Sequence, residues 1–212
     1  MRPFVRGVAD ILSAIRNTAI TCRWGRQCGV PISPDELDAA VARMLDGDEE
    51  AFRVVYRDVQ PRLLRYLAGM VGDDAEDVAA EAWAQAVRDL ERFSGDADGF
   101  RAWVTTIGRH RALDHLRRRK RHSREVQDLD LVADVPSLDD IEEMTADAIG
   151  SREALALIAS LPRDQREAIL LRTVLGFDAP TAARILGKRP GAVRSAAHRG
   201  LKALAKRLEA DQ

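Results

Sequence analysis

Apolar residues along this chain recur at three- and four-residue spacing, the mark of helices that bury one face, and no stretch alternates long enough to predict a strand. Leu37, Val41 and Leu45 form the first stripe. It follows Ser33-Pro34-Asp35-Glu36, in which Ser caps, Pro occupies the first turn and Glu36 completes a capping box. Gly47 ends that helix, and a second runs from after Asp48 to about Val71 with Phe52, Val55, Tyr56, Leu63, Leu64 and Leu67 as core candidates. Pro61 is a candidate kink within it. A third helix is predicted from near Asp73 to about Arg92. Its buried side is Val78, Ala82, Trp83, Ala86, Val87 and Leu90, while Asp74, Asp77 and Glu81 share another face. Phe93–Gly99 is a loop rich in turn residues.

Gly99–His122 is the stretch around which the rest is organised. Phe100, Trp103, Val104 and Ile107 give its first half an apolar face, whereas Leu113 and Leu116 project nearly opposite. The helix must therefore kink near Gly108 or be buried on different sides at its two ends. It finishes in five consecutive cations, Arg117 to Arg121. Two readings fit that end: a solvated basic terminus favoured by the helix dipole, or a surface lying along a phosphate backbone.

From Ser123 to Gly150 the periodicity disappears and nine carboxylates stand against Arg124 alone, which reads as an acidic linker. Ser151 then caps a new helical unit leading to Leu161-Pro162, followed by a helix over Arg163–Leu175 that Gly176 ends. Asp178 caps a short helix through Leu186, Gly187 makes the turn, and Pro190 opens a last helix to about Arg207. Helix, Gly-containing turn, helix is a helix-turn-helix.

The chain has 212 residues and a formal net charge of −1, and the average conceals a segregation. Residues 1–34 carry five Arg against one Asp, and residues 151–212 carry twelve Lys and Arg against six carboxylates. Such asymmetry informs more than the total. No apolar run approaches the roughly 18 residues of a membrane span, and the N-terminus lacks a signal-peptide apolar region, so a cytoplasmic protein without membrane insertion is expected. Residues 1–32 include a short amphipathic stretch, Val8 to Ile15, and two cysteines, Cys22 and Cys28. These lack the further ligands of a structural zinc site. A redox or metal switch built on them is one alternative function.

Catalytic constellations are missing: there is no phosphate-cradling Gly loop, no Ser elbow and no His-Glu-x-x-His. The histidines His110, His115, His122 and His198 are scattered among Arg. Asp74, Glu76, Asp77 and Glu81 lack partners placed for metal or acid–base work and read as a solvated or protein-binding face. The last helix presents Arg194, Ser195, His198 and Arg199 near one face, with Lys188 and Arg189 in the turn before it. A recognition helix reads bases with its N-terminal residues and holds phosphates with neighbouring cations. The alternative is a plain amphipathic helix with a charged exterior. The pattern is that of a binder, with no enzymatic chemistry, metal or cofactor expected.

DDAEDVAAEAWAQAVRDLERF followed by FRAWVTTIGRHRALDHLRRRKR resembles the conserved-core segment of bacterial RNA polymerase sigma factors. LPRDQREAILLRTVLGFDAPTAARILGKRPGAVRSAAHRGLKAL resembles their C-terminal promoter-binding domain. Having only these two domains is similar to the extracytoplasmic-function group. The resemblance implies an all-α fold of two small helical domains: an extension at 1–32, a region 2 bundle at 33–122, the linker at 123–150 and a region 4 helix-turn-helix domain at 151–212. It implies docking on core RNA polymerase, at the largest subunit's clamp helices and the flap, through Asp74, Glu76, Asp77, Val78 and Glu81. It implies capture of the −10 element by Phe93, Ser94, Gly95, Asp96, Phe100, Arg109, His110, Arg111, Arg117 and Arg118, in keeping with the cost of unstacking a base. Lys188, Arg189, Arg194, Ser195, His198 and Arg199 would contact the −35 element. An anti-sigma factor is an implied partner beside promoter DNA.

Three departures from the family pattern stand out: His110 in place of a frequent Asn, Ala196 where an Arg often contacts DNA, and a loop one residue longer than in some relatives. A helix-turn-helix regulator that never docks on polymerase is the alternative reading.

Overall fold

The computed structural model describes residues 32–127 and 154–210, and every regular element among them is helical. The first, α1 (Pro34–Leu45), opens with the predicted capping box: Ser33 Oγ accepts from the Glu36 N–H at 3.2 Å, and Glu36 Oε2 accepts from the Ser33 N–H at 2.9 Å. Met44, fully buried, takes the place in the stripe expected for Leu45, which is 37% exposed. Residue 44 lies one turn beyond Ala40 and Val41, so helical phase selects it.

Asp48 caps α2 (Glu49–Val71) by accepting from the Glu50 and Ala51 N–H groups at 2.9 and 3.1 Å. The helix continues through Pro61, the candidate kink. Gly72, at φ 69°, starts a 3-10 turn (Gly72–Asp74) that leads into α3 (Ala75–Arg88). A second 3-10 turn, Leu90–Arg92, ends the unit predicted as one helix.

Asp96 then caps α4 (Ala97–Gln127) by accepting from the Gly99 N–H at 2.7 Å, and Asp38 of α1 holds the Ala97 N–H at 2.8 Å. This helix begins two residues earlier than predicted and extends five residues into the expected linker. It is unbroken at Gly108 and is buried on different sides along its length: Phe100, Val104 and Ile107 first, then Ala112 and Leu113. Gly108 is there for proximity, because a Cβ would lie 2.8 Å from Leu63 Cδ1 of α2. Trp83, Tyr66, Phe52 and Phe100 fill the centre, each contributing about 1.5–3 kcal/mol by leaving water. Trp83 keeps its polar atom satisfied by donating to Gln60 Oε1 at 2.6 Å.

The remaining helices are α5 (154–159), α6 (Arg163–Ile169), α7 (Ala179–Leu186) and α8 (Pro190–Ala210). Between α6 and α7 the helix predicted to reach Leu175 widens into a π turn, Leu170–Val174, closed by the Leu175 N–H on the Leu170 carbonyl at 2.9 Å. The extra residue shifts the phase, so that consecutive Leu170 and Leu171 are both fully buried. Asp178 caps α7 through the Thr181 N–H at 2.8 Å, and Gly187 at φ 64° makes the turn into α8. The caps predicted at Ser33 and Asp178 and the Gly187 turn are all present.

The two helix groups lie against one another, and their buried residues form one continuous cluster. Leu170 of the π turn sits on α2 at Gly69, where a Cβ would come within 2.5 Å of its Cδ2. The amphipathic stretch at 8–15, both cysteines, the Ser151 cap and most of the acidic linker lie outside the described residues. Among the described residues no helix is long and apolar enough to cross a membrane.

Candidate nucleic-acid and polymerase interfaces

Helix α8 is held by Val193, Ala196 and Ala197, which face the core. That phase leaves Arg194, Ser195, His198 and Arg199 exposed on the first three turns. The departure at Ala196 therefore falls on the buried side, and a larger cation there would face the core, not a groove. Arg189 is exposed in the turn, but Lys188 is engaged, its Nζ 2.6 Å from Asp164 Oδ1. The hydrogen bond and the charge of Lys188 hold the Asp164 carboxyl below the ordinary aspartate range.

The loop before α4 carries Ser94, Gly95 and Asp96, all exposed, with Gly95 at φ 147°. Phe93 is half-buried, its ring 5.2 Å from both Phe100 and Trp103. Phe100, 1% exposed, belongs to the core and supports the loop from beneath; it is not available to stack on a base. His110 is exposed on α4, and Arg117 is exposed beside Asp114 at 2.8 Å. Other cations of α4 are already engaged within the chain, two of them, Arg109 and Arg111, partly buried. Arg111 donates twice to Gln85 Oε1, at 3.0 and 2.6 Å, and Arg118 lies 3.4 Å from Glu81. Arg109 is only 12% exposed and gives both Nε and an Nη to Glu167 Oε2 at 3.0 and 2.9 Å.

On α3, Glu76 and Asp77 are exposed and, among the described residues, make no ion pair. Asp74 is shared by His115 Nε2 at 3.0 Å and Arg119 at 3.3 Å. Val78 is 1% exposed and packs inward, because it lies a turn before Ala82 on the buried side; it shapes the acidic face and does not form it. Helical phase thus puts Asp74, Asp77 and Glu81 on one side of α3, with Glu76 exposed further round the helix.

Glu167 was not singled out in the sequence, and among the described residues it is the one charged residue in the buried class. It is 3% exposed, with Oε1 taken by Arg163 at 2.7 Å and Oε2 by Arg109. A carboxylate three residues before Leu170 on an apolar stripe was the available signal. Tyr66 lies nearby, with a hydroxyl that is buried and has no partner among the described residues; burial, with Glu167 adding to it, pushes its ionisation far up.

Two family models match the chain, Sigma-70 region 2 over residues 55–122 and Sigma-70 region 4 over residues 151–204. Full-length relatives agree. The RNA polymerase sigma factor ShbA of Streptomyces griseus is 32% identical over 79% of this chain and 93% of its own length. SigF of Caulobacter vibrioides is 34% identical over 81% of this chain and 93% of its own. The chain belongs to the extracytoplasmic-function RNA polymerase sigma factors. It directs transcription together with RNA polymerase. Among solved structures, the sigma factor RpoE from Bartonella quintana, determined with the anti-sigma factor NepR, superposes with a TM-score of 0.61 at 26% identity, covering 76% of this chain and 98% of that one. The CnrH chain of a complex with the cytosolic domain of CnrY shares the fold, with a TM-score of 0.60 at 23% identity.

Proposed function

We propose that this sigma factor reads two promoter elements with separate helix groups while a third surface holds it to the polymerase. Residues 33–122 form the domain that docks on core enzyme and engages the −10 element, residues 151–212 form the −35 domain, and residues 123–150 link them. Glu76 and Asp77, flanked by Asp74 and Glu81, meet the clamp helices of the largest subunit. Ser94, Gly95, Asp96, His110, Arg111, Arg117 and Arg118 line the approach of the melted −10 strand, over a floor made by Phe93 and Phe100. Arg194, Ser195, His198 and Arg199 enter the major groove at the −35 element with Arg189 at its edge. The chain acts in the cytoplasm, has no chemistry of its own, and is restrained by an anti-sigma factor. The Bartonella quintana relative in complex with one supports that last point.

The observation that carries the proposal is the exposed polar face of α8, presented by a capped helix-turn-helix at the phase a recognition helix requires. Run-off transcription with core polymerase on a genomic promoter library tests it. Initiation at a defined subset of promoters is expected. Binding to duplex operators with no effect of polymerase, and no complex with core enzyme, would establish the non-docking regulator instead.

A further inference from the structure

We propose that Glu167 is an internal latch: its carboxylate occupies the guanidinium of Arg109 and holds the two helix groups closed, so that Arg109 reaches DNA only when they part. This rests on the reading of α4 as the −10 surface.

Geometry supports a latch. Arg109 approaches one carboxylate oxygen with two N–H groups at 3.0 and 2.9 Å, while Arg163 fills the other oxygen at 2.7 Å. A carboxylate bound by guanidinium in this way imitates the contact that a DNA phosphate makes with the same side chain. The pair is nearly dry, at 12% and 3% exposure. Burial of charges largely offsets their attraction, whereas removing one partner leaves the other buried and unpaired, so loss of either charge disfavours the closed arrangement. Apolar side chains in the same place would fuse the groups.

Other features at the contact agree. The Tyr66 hydroxyl, on α2 close to Glu167 and Arg109, is buried without a partner among the described residues, a cost of closure that water relieves on opening. Leu170, the steric counterpart of the ion pair, seats on the bare backbone of Gly69, where any side chain would intrude. The contact thus has two independent parts, one electrostatic and one steric, each removable by a single substitution.

The test uses the full chain and two variants, Glu167→Gln and Gly69→Leu. The first removes the charge at constant shape; the second puts a good helix former into α2 and wedges Leu170 away. Circular dichroism checks that each is folded. Small-angle scattering reads the radius of gyration, and fluorescence anisotropy reads binding to a single-stranded −10-like oligonucleotide without polymerase. Both variants should be larger than the parent. If about a tenth of parent molecules are open, unlatching should raise the apparent affinity about tenfold, because binding scales with the competent fraction. Run-off transcription with core polymerase should stay within about twofold of the parent, since on this proposal docking on the polymerase itself parts the helix groups. Folded variants with the parent's radius would overturn the latch. Variants that expand with no gain in oligonucleotide affinity would overturn the assignment of Arg109 to DNA, and with it the purpose of the latch.

Discussion

Reversing charge on the acidic face of α3 should separate docking from folding. Asp77 is exposed and unpaired among the described residues, and Glu81, with a side chain 45% exposed, meets Arg118 only at 3.4 Å. A half-exposed pair of this kind contributes at most about 1 kcal/mol, so Asp77→Arg with Glu81→Arg should leave the melting curve nearly unchanged. Docking is affected differently. A carboxylate against a cation about 4 Å away near a protein surface gains up to about 4 kcal/mol before screening, and reversal replaces that attraction with repulsion. After discounting for salt and solvent exposure, a net loss of about 3 kcal/mol is expected for the pair. Titration of fluorescently labelled chain with core polymerase at moderate salt would then show affinity falling about a hundredfold, with a shallower dependence on ionic strength. A double variant that melts like the parent and binds core enzyme within threefold of it would refute the docking assignment. Repeating the titration with Glu76→Arg alone maps the edge of the contact.

Arg194→Ala should weaken initiation at −35-dependent promoters by about 1–3 kcal/mol, the scale of one base contact, and leave core binding intact; an unchanged promoter profile in run-off assays would displace Arg194 from the groove. Ser33→Ala removes the acceptor of the α1 capping box and should cost about 1 kcal/mol in chemical denaturation. Gly108→Val places a Cβ 2.8 Å from Leu63 Cδ1 and should cost about 1–3 kcal/mol by forcing α2 and α4 apart, measured the same way. Asp178 is held below the ordinary aspartate range by hydrogen bonding to the Thr181 side chain and by the bond it accepts from the Thr181 N–H. Its folded ionisation constant is therefore depressed, so its stabilisation is complete above the unfolded value near 3.8 and is lost as pH falls through the folded value. Acid titration of Asp178→Asn followed by circular dichroism should show a flatter loss of helix below about pH 4.

Local rules carried much of the fold. Ser33, Asp48 and Asp178 cap where short polar side chains before apolar stripes predict caps, and Gly176 and Gly187 take the left-handed backbone that ends helices. Each depends on residues within four positions, so sequence spacing suffices. What was not legible depends on distant partners. Gly69 and Gly108 look like weak points in helices until Leu170 and Leu63 are placed opposite them. Phe100 and Val78 belong to motif runs of the family, and motif membership does not distinguish a residue that touches the partner from one that supports it. Arg109 is the sharpest case: in sequence it is one of a row of cations, while in the fold its charge is already spent on Glu167, 58 positions away.

That difference between rows of charge and available charge separates the two DNA surfaces. On α8, Arg194 and Arg199 are exposed and make no ion pair among the described residues, Arg199 acting on Asp164 only through its charge at longer range, so little internal must break before they meet phosphate. On α4, Arg109, Arg111, Arg117 and Arg118 each have an acceptor within the chain, on Glu167, Gln85, Asp114 and Glu81 respectively. Every one of those contacts competes with DNA, and Glu81 also belongs to the proposed docking face. A polymerase that claims Glu81 therefore releases Arg118, just as parting the helix groups releases Arg109. On this assignment the −35 surface is preformed and the −10 surface is assembled by docking, which orders the steps by charge alone: hold the polymerase first, free the α4 cations second, and unpair the bases last.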